Sequence, residues 1–183
     1  SDLSAFAAYD TVRALDATLL DTPAYNTILA AFTSLTFPSL PIDSQIAPPP
    51  LILEFLSDMR RTSHPPDSIT YSLLLTYYSR TSTASPALIA HLHSLLKLDT
   101  HVDPDTPLFN ALMGAYSRVG AHHTAFRVWD TLRANGQHDE VSVSTVLDAC
   151  GFANEPRRAH RTWDALRRDG FAPNLKNWES WVE

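Results

Sequence analysis

The chain has 183 residues, 44% hydrophobic and 19% charged, which is ordinary globular composition with apolar material for a substantial core. A formal net charge of −6 argues against a protein that holds nucleic acid by bulk positive charge. The single cysteine, Cys150, excludes an internal disulfide, and no run of about 18 apolar residues is present to span a membrane.

Taken in order, the chain opens on residues 5–14, AFAAYDTVRA, which match AFRVWDTLRA at 125–134 with Tyr9 standing for Trp129. That stretch reads as the second helix of a helical pair whose first helix is missing, so the chain reads as a piece of a longer protein. Residues 22–34 carry Tyr25, Ile28, Leu29 and Phe32 at the i, i+3, i+4, i+7 spacing of one apolar helix face. The partner stripe, Ile52, Phe55, Leu56 and Met59, comes late. Between them residues 35–50, LTFPSLPIDSQIAPPP, hold five prolines and predict a surface loop inserted in place of a short turn. A third first-helix stripe, Tyr71, Leu74, Leu75 and Tyr78, is followed by a second-helix stripe through Ile89, Leu92 and Leu96.

Residues 106–174 then write one pattern twice, offset by about 34 residues, a period typical of helical solenoids. Phe109 meets Val143, Ala125 meets Ala159, Trp129 meets Trp163, Leu132 meets Leu166 and Gly136 meets Gly170. Both glycines stand just past a second helix, where a left-handed residue closes the turn. The last residues begin another first helix with Trp178, Trp181 and Val182. The predicted class is therefore all-α, an α-α superhelix built as a right-handed solenoid of helical hairpins. Its single array divides into a half repeat at 1–21, full repeats at 22–67, 68–105, 106–139 and 140–174, and the start of the next at 175–183.

The strings PAYNTILAAF, SITYSLLLTYYSR, PLFNALMGAYSRVG and EVSVSTVLDACG resemble the first helix of pentatricopeptide repeats. The A-x-x-x-W-D-x-L-R-x-x-G segments and the closers Pro66-Asp67, Pro104-Asp105 and Pro173-Asn174 resemble the rest of that unit. The pattern departs at Val143, which replaces an aromatic, and at His138, which replaces the closing proline. The resemblance covers nearly the whole chain outside 35–50. It implies single-stranded RNA binding at one base per unit. The implied readers are Asn26 with Asp67, Ser72 with Asp105, Asn110 with Asp139, and Ser144 with Asn174, spelling U-G-U-A from 5′ to 3′. Pro23, Ile69, Pro107, Val141 and Lys176 would flank the bases, and Arg80 and Arg118, ending first helices, suit a phosphate contact. The resemblance further implies a non-catalytic adaptor of organellar RNA processing, stability or translation, expected in the mitochondrion. The reading from another class is a protein–protein scaffold that holds an extended peptide in the same groove, as tetratricopeptide arrays do.

Two physical arguments bear on that implication. Asp67, Asp105 and Asp139 each precede a predicted first helix, where a carboxylate accepts orphan N–H bonds, and a capping carboxylate is less free to meet a base. Residues 106–183 hold nine Lys/Arg and nine Asp/Glu, so the whole acidic excess lies in residues 1–105. The densest basic cluster, Arg157, Arg158, Arg161, Arg167 and Arg168, falls on a second helix and reads as a solvated outer face.

No catalytic or cofactor chemistry is legible. His91 with His93 and His122 with His123 lack the i, i+4 spacing or cysteine set of a zinc site and read as surface histidines. Asp99, Asp103 and Asp105 lack the glycine and closing glutamate of a calcium loop. Cys150, on an apolar stripe, reads as a buried small hydrophobe, and Trp129 and Trp163 read as core. The expectation is no enzyme, no metal and no cofactor.

Overall fold

The structure, a computed structural model, describes residues 20–34, 49–81 and 84–182 together with positions 9, 11, 12 and 14. Most of the half repeat expected at 1–21, and the inserted loop over 35–48, lie outside the described residues, as do the side chains of Phe32 and Ile52.

Nine helices are found among the described residues: α1 Thr22–Ser34, α2 Pro49–Arg61, α3 Ser68–Tyr78, α4 Pro86–Leu98, α5 Thr106–Arg118, α6 His122–Ala134, α7 Glu140–Phe152, α8 Pro156–Arg168 and α9 Leu175–Val182. The odd-numbered helices are the first members of their pairs and the even-numbered ones the second. Pro49 and Pro50 correct the expected extent of the loop, because both sit in the first turn of α2. A first-turn proline forfeits only an N–H that has no partner inside the helix.

Each first helix is opened by the same device. The side chains of Asp21, Asp67, Asp105, Asp139 and Asn174 accept the backbone N–H three residues on, at 2.8–2.9 Å. The closing device repeats too. After α6 the N–H of Gly136 bonds Arg133 and that of Gln137 reaches back to Leu132; after α8 Gly170 and Phe171 do the same with Arg167 and Leu166. These paired bonds require a left-handed residue, and Gly136 (φ 66°) and Gly170 (φ 82°) supply it at no steric cost. The same closure follows α5 and α7, where Gly120 and Asn154 take positive φ.

The apolar stripes form the core. Tyr71, Leu74, Leu75, Tyr78, Leu112, Met113, Val146, Leu147 and Cys150 are buried in one continuous cluster with Ile89, Leu92, Trp129, Trp163 and Leu166. Tyr9 is buried against Phe55 at 3.9 Å between ring centres and donates its hydroxyl to Asp58 at 2.9 Å. His138, in place of the expected proline, packs its ring edge-on to Trp129 at 5.7 Å and against Phe171 at 6.1 Å, so it extends the aromatic seam between units. Trp163 likewise stacks on Trp181 of α9 at 5.1 Å.

Packing between units is concentrated in one layer. First helices run α1, α3, α5, α7, α9, each against the next, and among the described residues no pair of second helices shares a comparable interface. A stack tied more tightly along one layer closes toward that layer, so the first helices line the inner wall of a helical-hairpin solenoid. Second helices are cross-tied by their ends: Arg60 holds Asp99 at 2.9 Å and Arg133 holds Asp169 at 2.7 Å.

Candidate nucleic-acid interface

Because the first helices are equivalent, residues at one register recur along the inner wall. Asn26, Ser72, Asn110 and Ser144 occupy the fifth position of α1, α3, α5 and α7 and are buried or half-buried. The second position of the same helices holds Pro23, Ile69, Pro107 and Val141, all exposed. Ile69 and Val141, each 58% exposed, are apolar groups that the core leaves unused. Lys176, at the second position of α9, pairs with Glu179 at 3.6 Å.

Two of the four expected pairs are in direct contact. Asn110 donates its side-chain amide to Asp139 Oδ1 at 3.1 Å, and Asn26 donates to Asp67 Oδ1 at 3.0 Å. In both, the oxygen that meets the asparagine is also the one that caps the next first helix. Among the described residues the side-chain contacts of both carboxylates fall on Oδ1, and the Val141 N–H also bonds the Asp139 carboxylate. Capping and pairing thus converge on one oxygen of each carboxylate, so a capping aspartate still holds its reader asparagine. Burial pushes the Asp139 carboxyl up, but the Ser142 N–H and hydroxyl and the Asn110 amide outweigh it and hold the group below its ordinary value.

The other two pairs are not joined directly. Asp105 caps α5 through the Leu108 N–H at 2.9 Å and makes no bond to Ser72. Ser144 and Asn174 meet only through Asn177, whose amide donates to the Ser144 hydroxyl at 2.8 Å and whose N–H caps on Asn174 at 2.9 Å.

Between α3, α5 and α7 a groove of about 270 Å³ opens on this wall, lined by Asn110, Val141, Arg80, Arg118, Gly114 and Asp148 among others. It brings one expected reader, one expected flanking residue and both expected phosphate contacts to a single depression. Arg118 is the last residue of α5, whereas Arg80 stands in the turn after α3. Partial burial and the neighbouring Arg80 charge hold the Arg118 guanidinium below its usual range, with Asp148 pulling the other way. Two guanidinium groups that disfavour each other make a place that an anion would relieve.

Three residues of the site carry no signal in the reader pattern: Thr70, Ser142 and Asn177, each the third residue of its first helix. A signal exists in the spacing Asp-x-x-Thr, Asp-x-x-Ser and Asn-x-x-Asn, which is that of a reciprocal helix cap. Elsewhere the outer basic cluster is not uniformly solvated. Arg158 lies 4.1 Å over the Phe126 ring and 3.4 Å from Asp130, since its long stem reaches the seam between α6 and α8. His93 corrects the surface reading: it is half-buried, bonded to the Tyr116 hydroxyl at 2.9 Å, and burial with the nearby Lys97 charge pushes its pKa down to about 4. Asp99 is taken by Arg60 and by the Tyr71 hydroxyl. Among the described residues no cluster of three or more His, Cys, Asp or Glu is placed to hold a metal, and no helix is long and apolar enough to cross a membrane.

No protein-family model matches the sequence. A pentatricopeptide repeat-containing protein of Arabidopsis thaliana, named as chloroplastic, is 30% identical over 110 residues, covering 60% of this chain and 13% of that protein. The chain therefore spans only a small part of the length of such relatives. Among solved structures, the pentatricopeptide repeat protein PPR10 from maize superposes with a TM-score of 0.69 at 18% identity, over 96% of this chain and 23% of its own. PPR10 is also solved in complex with an 18-nt psaJ RNA element. The PPR domain of Arabidopsis thaliana protein-only RNase P 1, solved in complex with tRNA, gives a TM-score of 0.68 at 15% identity, over 99% of this chain and 90% of that domain. Sequence relatives and fold neighbours point the same way: the chain is similar to pentatricopeptide repeat proteins in sequence and shares their fold.

Proposed function

We propose that the inner wall binds single-stranded RNA, one base to each unit, with the base edges meeting Asn26 and Asp67, Ser72 and Asp105, Asn110 and Asp139, and Ser144 and Asn174. The carrying observation is the groove in which Asn110, Val141, Arg80 and Arg118 converge. It offers a base edge, an apolar flank and a phosphate at neighbouring points, and those are the three things a nucleotide presents. The RNA-bound states of PPR10 and of the RNase P 1 domain support the reading. The order of readers corresponds to UGUA. With only weak provision for phosphate in an acidic chain, affinity rests on base contacts, and the role is that of a non-catalytic adaptor in organellar RNA processing, stability or translation. The relative's chloroplast name supports an organelle as the address and does not favour the mitochondrion.

The acidic excess, confined to residues 1–105, supports a second reading as a scaffold for an extended peptide. Binding of short RNAs containing UGUA, against scrambled sequences at two salt concentrations, separates the two. Sequence-dependent binding that is lost in Asn110→Ala supports RNA reading; indifference to both sequence and substitution moves the assignment to the scaffold.

A further inference from the structure

We propose that Thr70, Ser142 and Asn177 are positioning residues for base reading: each holds, across the boundary between units, the reader side chain of the preceding first helix. The proposal rests on the RNA-reading assignment above and extends it to residues outside the reader pairs.

The geometry is repeated. Asn110 has both ends of its amide engaged, donating to Asp139 at 3.1 Å and facing with Oδ1 the Ser142 hydroxyl at 2.7 Å, whose one proton it shares with Asp139 Oδ1 at 2.8 Å. Asn26 has the same two partners in Asp67, at 3.0 Å, and Thr70, at 2.6 Å, the Thr70 hydroxyl lying 3.0 Å from Asp67 Oδ1 as well. The hydroxyl in turn accepts the N–H of the capping aspartate at 3.2 Å, so it is itself anchored. An amide held at one end pivots; held at both ends it presents one N–H and one carbonyl lone pair in a fixed direction, beside the aspartate carboxylate. Those are the groups left for a base.

The fourth unit reaches the same end with a different residue. Asn177, fully buried, donates to the Ser144 hydroxyl at 2.8 Å and to the Glu140 carbonyl at 2.7 Å. Because the Ser144 oxygen accepts from Asn177, its own proton is left to donate outward. The unit of Ser72 and Asp105 is the exception, since Leu108 stands at the third position of α5 and has no side-chain group to offer.

The test measures affinity of the whole chain for single-stranded RNAs in which the third base of UGUA is varied through all four nucleotides. Wild type, Ser142→Ala and Ser142→Thr are compared at several salt concentrations. Loss of one buried hydroxyl bond lowers the preference for the favoured base by about three- to tenfold. The salt slope, which reports phosphate contacts, stays as in wild type, and Ser142→Thr restores the preference. In the free protein the Asn110 side-chain amide protons of Ser142→Ala exchange faster with solvent. If wild type discriminates bases and Ser142→Ala discriminates equally well, the positioning role is wrong and base reading stands. If wild type shows no preference at this base, the RNA-reading assignment fails and the proposal with it. Should Ser142→Ala not melt cooperatively, Thr70→Val tested at the first base of UGUA decides the same question.

Discussion

Asn110 and Asp139, 29 residues apart, share a hydrogen bond of 3.1 Å that crosses from one repeat unit to the start of the next. The same carboxylate oxygen accepts the Ser142 N–H at 2.8 Å and so starts helix α7. A group that starts a helix and holds a reader side chain with one oxygen ties stability to reading. Asp139→Ala removes the cap and leaves the Asn110 amide with one partner fewer, so stability falls by about 1–2 kcal/mol. Asp139→Asn keeps an acceptor at the cap and loses less. Urea denaturation of the two variants gives the comparison; equal losses would mean that the cap contributes nothing.

Acid should expose the same coupling. The Asp139 carboxyl is depressed in the folded chain relative to its ordinary 3.8, so the unfolded chain takes up this proton first on acidification. Its contribution is therefore complete above pH 3.8 and is lost as pH falls below that toward the folded value. The stability difference between wild type and Asp139→Asn, constant near neutrality, narrows over that lower range.

Local patterns reach the helix faces and the closing turns but not the contacts between helices. Leu74 and Leu75 are legible as core because helical period alone places them on one face, and Gly136 and Gly170 are legible because a closing turn is a local event. Pro49 and Pro50 mislead because a proline's effect depends on its position in the helix, and no nearby residue marks where α2 starts. His93 and Arg158 mislead because their partners, Tyr116 and Phe126, belong to other helices. The bridging role of Thr70 and Ser142 is hidden for the same reason: the cap they complete is local, but the asparagine they hold is a unit away.

His93 gives a pH effect in a separate window. Its ordinary value is 6.5 and its folded value about 4, with Lys97 and the Tyr116 hydroxyl beside it. Between those values the unfolded chain binds the extra proton, so the folded state loses stability as pH falls from 6.5 toward 4. His93→Gln, which cannot titrate, flattens that loss. Denaturant midpoints at pH 7 and pH 5 measure it, and parallel slopes in the two proteins would rule it out.

Gly136 and Gly114 should respond oppositely to alanine. Gly136 has φ 66°, a conformation that costs a side-chain-bearing residue about 1–2 kcal/mol. Gly114 lies inside helix α5, and an added Cβ would meet Thr145 at 3.7 Å and Arg118 at 3.8 Å, ordinary contact distances. Gly114→Ala therefore gains up to about 1 kcal/mol from helix propensity. Thermal melts of the two variants should move in opposite directions.

The groove between α3, α5 and α7 makes the sharpest electrostatic prediction. Arg80 and Arg118 share it with Asp148, so phosphate must compete there with a resident carboxylate. If each arginine meets one phosphate, Arg80→Ala and Arg118→Ala each reduce the slope of log affinity against log salt by about 0.7, the value for single strands. Asp148→Asn removes the competitor and raises affinity at low salt. Arg167, exposed on second helix α8, lies in the other layer, and Arg167→Ala leaves the slope unchanged. Unchanged slopes in the first two variants with a reduced one in Arg167→Ala would place the RNA backbone along the second helices, on the opposite face from the Asn110 groove.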